Sequence, residues 1–492
     1  MHSFFYSENN KMVFKVPNYI MSEIDINKPI ITRFPPEPSG YLHIGHARAL
    51  FINFFISKIL SKHPDSKFIV RMDNTNPKVE DQEYEDAILH DIKNLLKIDY
   101  DLLTHSSDYF PFIYQLCQHL LDNNLVFVDA STHKDLKVER SEFKPSPYRD
   151  IKVTNNINQI PKDSCLRIKL DYTSKNGSLR DPVILRWNDD KLYPTYDFIC
   201  PIVDYIEGVT HVFRDINYQD RDEQYLSILE KSKDFMDMTI CSDKRKEIPK
   251  LFSFGRINFN DTNLSKRHMK KSIMEGMYDG WDDIRLGSLR SLFKQGLCLE
   301  GLKEFIYGEG IGKTIVKSTW NKFWSINGKI INNNATRYLA IDSKKAFLCQ
   351  IKHDIIDKSI FKFEKNKSLG ERILYSPNTI VLLQLDDYDP NDKLVTLINL
   401  ATFDFNENLL TENTMKSFKD TKPGNKLLWV DGQYCNLYIT SIDVNKKIIT
   451  NLFYGEKSMN LLKPGDYVQL IKNGYYIVNR INDNNIDLIQ IP

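Results

Sequence analysis

The sequence predicts an α/β protein: a Rossmann-like parallel sheet interrupted by an insertion, then a helical subdomain, then an all-β region of barrels. Three observations predict it. Between about residues 30 and 110, short apolar runs alternate with amphipathic stretches, the rhythm of β–α–β units. At the first strand-to-helix turn lies the run Pro36-Glu37-Pro38-Ser39-Gly40-Tyr41-Leu42-His43-Ile44-Gly45-His46, suited to phosphate. Beyond about residue 335, short apolar segments are separated by Asp, Asn, Gly and Pro turns.

Taken in order, residues 1–29 read as a short polar lead-in. Residues 30–110 supply the first half of the sheet. Ile30 to Phe34 is its first strand, and Ala47, Leu50, Phe51, Phe54 and Phe55 mark the helix that follows. Backbone N–H groups and the helix dipole at that turn favour bound phosphate, and Gly45 lets the backbone approach a nucleotide such as ATP closely. Phe68 to Met72 reads as a buried parallel strand ending in a polar turn. Ligands sit beyond the carboxyl ends of such strands, so Asp73 is placed for a substrate ammonium; a plain turn-capping Asp is the competing reading. Tyr84 to Ile98 reads as a helix through Ala87, Ile88, Ile92, Leu95 and Leu96.

Residues 111–192 interrupt the sheet with a charged helix (Lys134 to Glu142) and a strand-like Leu166 to Leu170. The second half, 193–271, ends in a polar stretch from Asn260 to Asn263 followed by Leu264-Ser265-Lys266-Arg267-His268. That stretch reads as a mobile loop whose lysine can follow charge developing on a phosphate. Residues 272–334 look helical. In 335–492, Thr379 to Leu383, Leu427 to Val430 and Tyr438 to Thr440 suggest barrel strands.

Together these residues resemble a class I aminoacyl-tRNA synthetase, with P-E-P-S-G-Y-L-H-I-G-H similar to its first signature and L-S-K-R to its second. The likeness is to the glutamyl/glutaminyl branch, and within it to glutamyl-tRNA synthetases of the eukaryotic and archaeal type. It implies ATP-dependent activation of L-glutamate and its transfer to tRNA-Glu, with Mg2+ accompanying ATP and no zinc. It also implies catalytic roles for His43, His46 and Lys266. ATP would meet these three together with Glu37, Pro38, Ser39, Gly40, Gly45, Arg256, Ile257, Leu264 and Ser265; glutamate would meet Arg33, Asp73, Tyr196 and Arg214. The insertion resembles the part that holds the tRNA acceptor stem, through Gly177 to Val183. The closing words Leu462 to Leu470 and Gly474-Tyr475-Tyr476 resemble anticodon-binding barrels. Members of this branch generally need tRNA before they activate the amino acid. Two residues depart from the pattern: Asn74, where the family commonly has a second acid, and His268, where it usually has a second lysine.

Glutamate rather than glutamine follows from Arg33 and Arg214, since an arginine fork suits a carboxylate and glutaminyl enzymes usually carry a small uncharged residue at the second position. Bound glutamine would leave one buried charge unpaired. The bland reading of Arg214 is an ion pair with Asp215 or Glu207. The acids from Asp220 to Glu223 read as complements to a helix dipole. A glutaminyl-tRNA synthetase, or a catalytically silent RNA-binding scaffold on this fold, remain the alternatives.

Bulk composition narrows the classes further. At 492 residues, with 41% apolar and 27% charged residues, the chain suits a soluble protein of several domains. Its formal net charge of +1 offers no global attraction to RNA, so tRNA contacts must be local. The seven cysteines form no C-x-x-C pair, which argues for reduced thiols. There is no apolar run of membrane-spanning length and no arginine in Met1 to Asn10, so a cytoplasmic protein without membrane attachment is expected. A monomer is expected as well. The lead-in has no room for a glutathione-transferase-like interaction domain, which puts docking to a multi-synthetase complex in doubt.

Overall fold

An antiparallel hairpin, β1 (His2–Tyr6) and β2 (Val13–Pro17), opens the chain, followed by a short helix, α1 (Asn18–Met21). The computed structural model describes residues 2–6, 13–78, 80–239, 247–259, 266–386 and 388–492. Phe14, Val16 and Ile20 are fully buried, and the Phe14 ring lies 4.5 Å from Phe55 and 4.6 Å from Tyr307. The expected polar lead-in is therefore partly core. Its period-2 alternation is too short, and too charged on its outer side at Lys15, to stand out as a strand.

The chain divides into two compact units, Met1–Lys271 with Ile306–Ser318, and Ser272–Phe305 with Thr319–Pro492. In the first, β3 (Ile31–Phe34), β4 (Lys67–Met72) and β5 (Leu102–His105) form a parallel sheet. They alternate with α2 (Ile44–Phe54), which continues as a wider-wound turn over Phe55–Leu60, and α3 (Gln82–His90). Next come α4 (Phe110–Asp122) and an antiparallel sheet of β6 (Val126–Asp129), β7 (Cys165–Ile168), β8 (Val183–Asn188) and β9 (Lys191–Pro194), with α5 (His133–Ser141) between its first two strands. The chain re-enters through α6 (Tyr196–Glu207) and β10 (His211–Asp215), then α7 (Asp222–Thr239) and β11 (Lys250–Phe254), which pairs in parallel with β10.

The two parallel sheets abut along β3 and β10, where Thr210 donates its N–H to the Ile31 carbonyl at 2.9 Å. The spatial order β5-β4-β3-β10-β11 is that of a doubly wound sheet. Its direction reverses between β3 and β10, so a crevice opens at their carboxyl ends. Helix α6 is apolar nearly all round: Phe198 to Tyr205 are all buried. It ends at Gly208, whose φ of 73° is the left-handed conformation in which glycine alone carries no side-chain strain. A core of Ile69, Leu116, Leu120, Leu166, Ile184, Ile199, Ile202 and Ile228 joins α4, α6, α7 and the antiparallel sheet.

A short strand, β12 (Ile257–Phe259), follows β11, and α8 (Lys266–Met274) begins at the lysine of the second signature. Leu264 and Ser265 lie outside the described residues. The segment Ile306–Ser318 returns to the first unit and contributes β13 (Val316–Ser318), parallel to β12. Gly255 donates to the Gly312 carbonyl at 2.8 Å, and a Cβ on Gly255 would fall 2.0 Å from the Thr314 oxygen. Only glycine fits there.

In the second unit, helices at Leu289–Lys294 and Trp320–Asn334 precede the β region. Among the described residues the β region holds a closed six-stranded barrel, a seven-stranded mixed sheet and a two-stranded hairpin, in line with the barrel architecture expected. The barrel strands run from Ala346–Lys352 to Lys426–Asp431 around Val381, Leu383, Val395, Leu397 and Trp429. The sheet draws on both sides of it, pairing Thr336–Tyr338 with Tyr467–Leu470. No described helix is long and apolar enough to cross a membrane, and the six described cysteines are free thiols.

Candidate active site

Helix α2 starts with a reciprocal cap made by two imidazoles. His43 Nδ1 accepts from the Gly45 N–H at 3.0 Å, and His46 Nδ1 accepts from the His43 N–H at 3.2 Å. A backbone N–H can only donate, so both Nδ1 atoms are unprotonated and each ring carries its proton on Nε2. The rings lie 3.9 Å apart, a spacing that two imidazolium cations would oppose. Burial, with Lys266 and Arg256 nearby, pushes His43 down to about 3, and burial with His43 and Lys266 holds His46 well below the usual histidine range. Both are therefore neutral donors. Gly45 is required for a second reason besides approach: a Cβ there would sit 2.8 Å from His43 Cε1 and break the cap.

The crevice between β3 and β10 is a cleft of about 1020 Å³. Its walls include Arg33 at the end of β3, Glu37, His43, Gly45 and His46 from the turn, and Asp73 after β4. They also include Tyr196 at the start of α6, Arg214 on β10, and Arg256 and Ile257 after β11. Lys266 adds its Nζ 2.9 Å from the Glu37 carbonyl, and burial lowers it to about 8. Pro38, Ser39 and Gly40 form the turn behind Glu37 and do not line the cleft; Ser39 Oγ donates to Glu37 Oε2 at 2.8 Å.

The cationic side of the cleft is already balanced. Arg33 Nε donates to Asp204 at 3.0 and 3.1 Å, and Arg71 reaches the same carboxylate at 2.8 Å and also pairs with Glu207. Burial works against both guanidinium charges, and the surrounding groups, Asp204 foremost and Glu207 beside Arg71, together more than offset it. For Asp204, burial is likewise overcome by Arg33 and Arg71, which hold it below the usual carboxylate range. Arg214 pairs with Asp222 at the first position of α7, and its Nε has no partner. Asp222 thus does more than complement a dipole, while the expected partners Asp215 and Glu207 bind Arg256 and Arg71 instead.

Glu37 and Asp73 add acids to the lining of the cleft. Burial raises Asp73 to about 7, with Glu37 adding to the rise and Thr75, Arg71 and Ser106 opposing it. Glu80 is raised to about 7 by burial, with Asp73 and Glu37 contributing. A ligand ammonium would relieve this strain.

Sequence reasoning missed Arg48, Asn53, Arg71, Thr75, Glu80, Asp204 and Arg221. A signal existed for three of them: Arg48, Arg71 and Asp204 each interrupt an otherwise apolar helix or strand, and a charge there must be paired.

The family described as "tRNA synthetases class I (E and Q), catalytic domain" matches residues 29–333. The chain is 34% identical over 518 residues to a probable cytoplasmic glutamate–tRNA ligase of Enterocytozoon bieneusi, covering 95% of this chain and 78% of that one. It is 32% identical to the bifunctional glutamate/proline–tRNA ligase of Mus musculus over 92% of this chain, and spans only 32% of that longer protein. Among solved structures, a glutamate-tRNA synthetase from Elizabethkingia anophelis shares 16% identity at a TM-score of 0.42, over 62% of this chain and 71% of that one, too loose a likeness to carry an argument. The capped histidine pair, the reversing sheet and the family match agree: the chain belongs to the class I tRNA synthetases of the glutamate and glutamine group.

Proposed function

We propose that this protein is a glutamate–tRNA ligase of the cytoplasm, activating L-glutamate with Mg-ATP and transferring it to the 3′ end of tRNA-Glu. The observation that carries the proposal is the meeting, in one cleft, of two neutral histidine donors with Arg33 and Arg214. The names of the relatives, glutamate–tRNA ligases, favour glutamate over glutamine.

In the first step the α-carboxylate of glutamate attacks the α-phosphorus of ATP in line, the bond to the β-phosphate oxygen breaks, and pyrophosphate leaves. Little covalent chemistry falls to the protein, which positions the reactants and stabilises charge. His43 and His46 donate Nε2–H to the polyphosphate without needing a charge of their own. Lys266, close to the turn, meets the growing negative charge. Arg256 and Ile257 bound the nucleotide end. Asp73 receives the amino group, Tyr196 closes the pocket, and Arg33 and Arg214 hold the two carboxylates. In the second step a ribose hydroxyl at the tRNA 3′ end takes the acyl group and AMP leaves. The sheet at 126–194 would hold the acceptor stem, and the β region of the second unit would read the anticodon by stacking and edge hydrogen bonds.

The test is aminoacylation of tRNA-Glu with labelled glutamate or glutamine by the unaltered protein and by Arg214→Cys. Charging with glutamate, and a shift towards glutamine in the variant, is expected. Unchanged amino-acid preference in Arg214→Cys would refute the role of that residue, and charging with glutamine by the unaltered protein would refute the reading itself.

A further inference from the structure

Strands β4 and β5 end side by side, with Met72 opposite His105, so the turns that leave them face each other. The first turn carries Asp73 and Asn74; the second is a single 3₁₀ turn, Ser106–Tyr109. Ser106 Oγ donates to Asp73 Oδ1 at 3.4 Å, a long bond, and the Thr75 side chain supplies another. One residue along, the contacts are tight. Asn74 Nδ2 donates to Ser107 Oγ at 2.8 Å, and Asn74 Oδ1 accepts from the Ser107 N–H at 2.9 Å. A backbone N–H can only donate, so the orientation of the amide is fixed. The same stretch also reaches the partner of Arg71: Thr104 Oγ1 and the Tyr109 hydroxyl donate to Glu207 Oε1 at 2.7 and 2.9 Å. Asn74 stands where the family commonly has a second acid.

We propose that Asn74 and Ser107 are positioning residues for the Asp73 carboxylate, holding the Ser106 turn against it without setting a second charge beside it. The role rests on the reading of Asp73 as the partner of the glutamate ammonium. Ser106 bonds Asp73 too weakly to fix it alone, so the register of the two turns must come from a stronger contact. The Asn74–Ser107 pair, the next residue on each turn, is that contact. An acid at position 74 could keep both bonds, accepting from the Ser107 N–H and from its hydroxyl. It would also add a carboxylate where Glu37 and Glu80 already act on Asp73, alongside Arg71, Tyr196 and Tyr218. Like charges disfavour ionisation, and only the ionised carboxylate attracts an ammonium. Asp73 is already raised to about 7, chiefly by burial, so a further rise would leave it mostly protonated at neutral pH. The amide keeps the geometry and avoids that rise.

The experiment reads the KM for glutamate and the KM for ATP in the charging of tRNA-Glu between pH 6 and 8.5, for the unaltered protein, Asn74→Ala and Asn74→Asp. Asn74→Ala loses both bonds and should raise the KM for glutamate by about three- to tenfold at every pH, with the KM for ATP unchanged. Asn74→Asp keeps the pair and serves if Asn74→Ala fails to fold. Its KM for glutamate should fall with rising pH about one unit later than in the unaltered protein, and come within about twofold of the original at pH 8.5. The KM for ATP, read in parallel, separates the titration of Lys266, itself lowered to about 8. Equal changes in both KM values for Asn74→Ala would make the pair a brace for the whole cleft and overturn the proposal. An unaltered KM for glutamate in Asn74→Ala, or an unmoved pH midpoint in Asn74→Asp, would overturn it too. If Asp73→Asn leaves the KM for glutamate unchanged, the reading of Asp73 falls instead. If the unaltered protein does not charge glutamate, the ligase reading falls.

Discussion

Replacing Asp204 by asparagine tests whether the buried charges around Arg33 are balanced as described. Asp204 is fully buried and accepts from Arg33 Nε at 3.0 Å, from Arg71 Nη1 at 2.8 Å and from the Tyr225 hydroxyl at 2.9 Å. Arg33 and Arg71 are balanced by Asp204 and Glu207, so the amide leaves one positive charge uncompensated. A pair of charges about 4 Å apart, at an effective dielectric constant near 20, attracts by about 4 kcal/mol. Removing one partner of a buried pair costs about 3–5 kcal/mol in measured cases, and the two figures agree. At roughly 2–4 °C per kcal/mol for a unit of this size, the melting midpoint should fall by about 6–20 °C. Calorimetry of Asp204→Asn against the unaltered protein reads this directly. With Arg33 no longer held, the KM for glutamate should rise while the KM for ATP stays put. A midpoint within about 2 °C of the original, with an unchanged KM for glutamate, would refute the reasoning.

Three further outcomes follow from the geometry. Gly45→Ala places a methyl group 2.8 Å from the His43 ring, so it should unseat the cap and reduce activity by about a hundredfold or more, read by steady-state kinetics. His43 has a folded pKa of about 3 against an ordinary 6.5, so the folded state refuses a proton that the unfolded state takes up. The stability due to its neutral form is complete above pH 6.5 and is lost as pH falls towards 3, and His43→Gln should flatten that part of a urea-midpoint-against-pH curve. Asp73, raised to about 7, titrates where glutamate binding is measured; the KM for glutamate should fall as pH rises from 6 to 8, and Asp73→Asn should abolish this trend while Glu80→Gln retains it.

The turn before α2 was legible from the amino acids alone. It is contiguous, so its glycine, histidines and following helix could be placed without knowing the fold. The alternating strands and helices likewise announced a doubly wound sheet, while the reversal point between β3 and β10 shows only in the spatial order of the strands. Long-range pairings were not legible. Asp204 stands 171 positions from Arg33, and only folding shows that the acid in an apolar helix belongs to the arginine in an apolar strand. The same holds for Arg48, whose carbonyl partner Gly310 is 262 positions away. Phe14 looked like lead-in because its partners, Phe55 and Tyr307, lie in other parts of the chain. In the second unit, Thr336–Tyr338 pairs with Tyr467–Leu470 across the whole intervening barrel, a split that local apolar runs cannot reveal.

The central claim is that the cleft activates glutamate, and ATP–pyrophosphate exchange measures that step most directly. Exchange would be run with glutamate and with glutamine, each with and without tRNA-Glu. The account predicts exchange with glutamate alone, and only when tRNA is added. Exchange with glutamine, or none with either amino acid in the presence of tRNA, would contradict it.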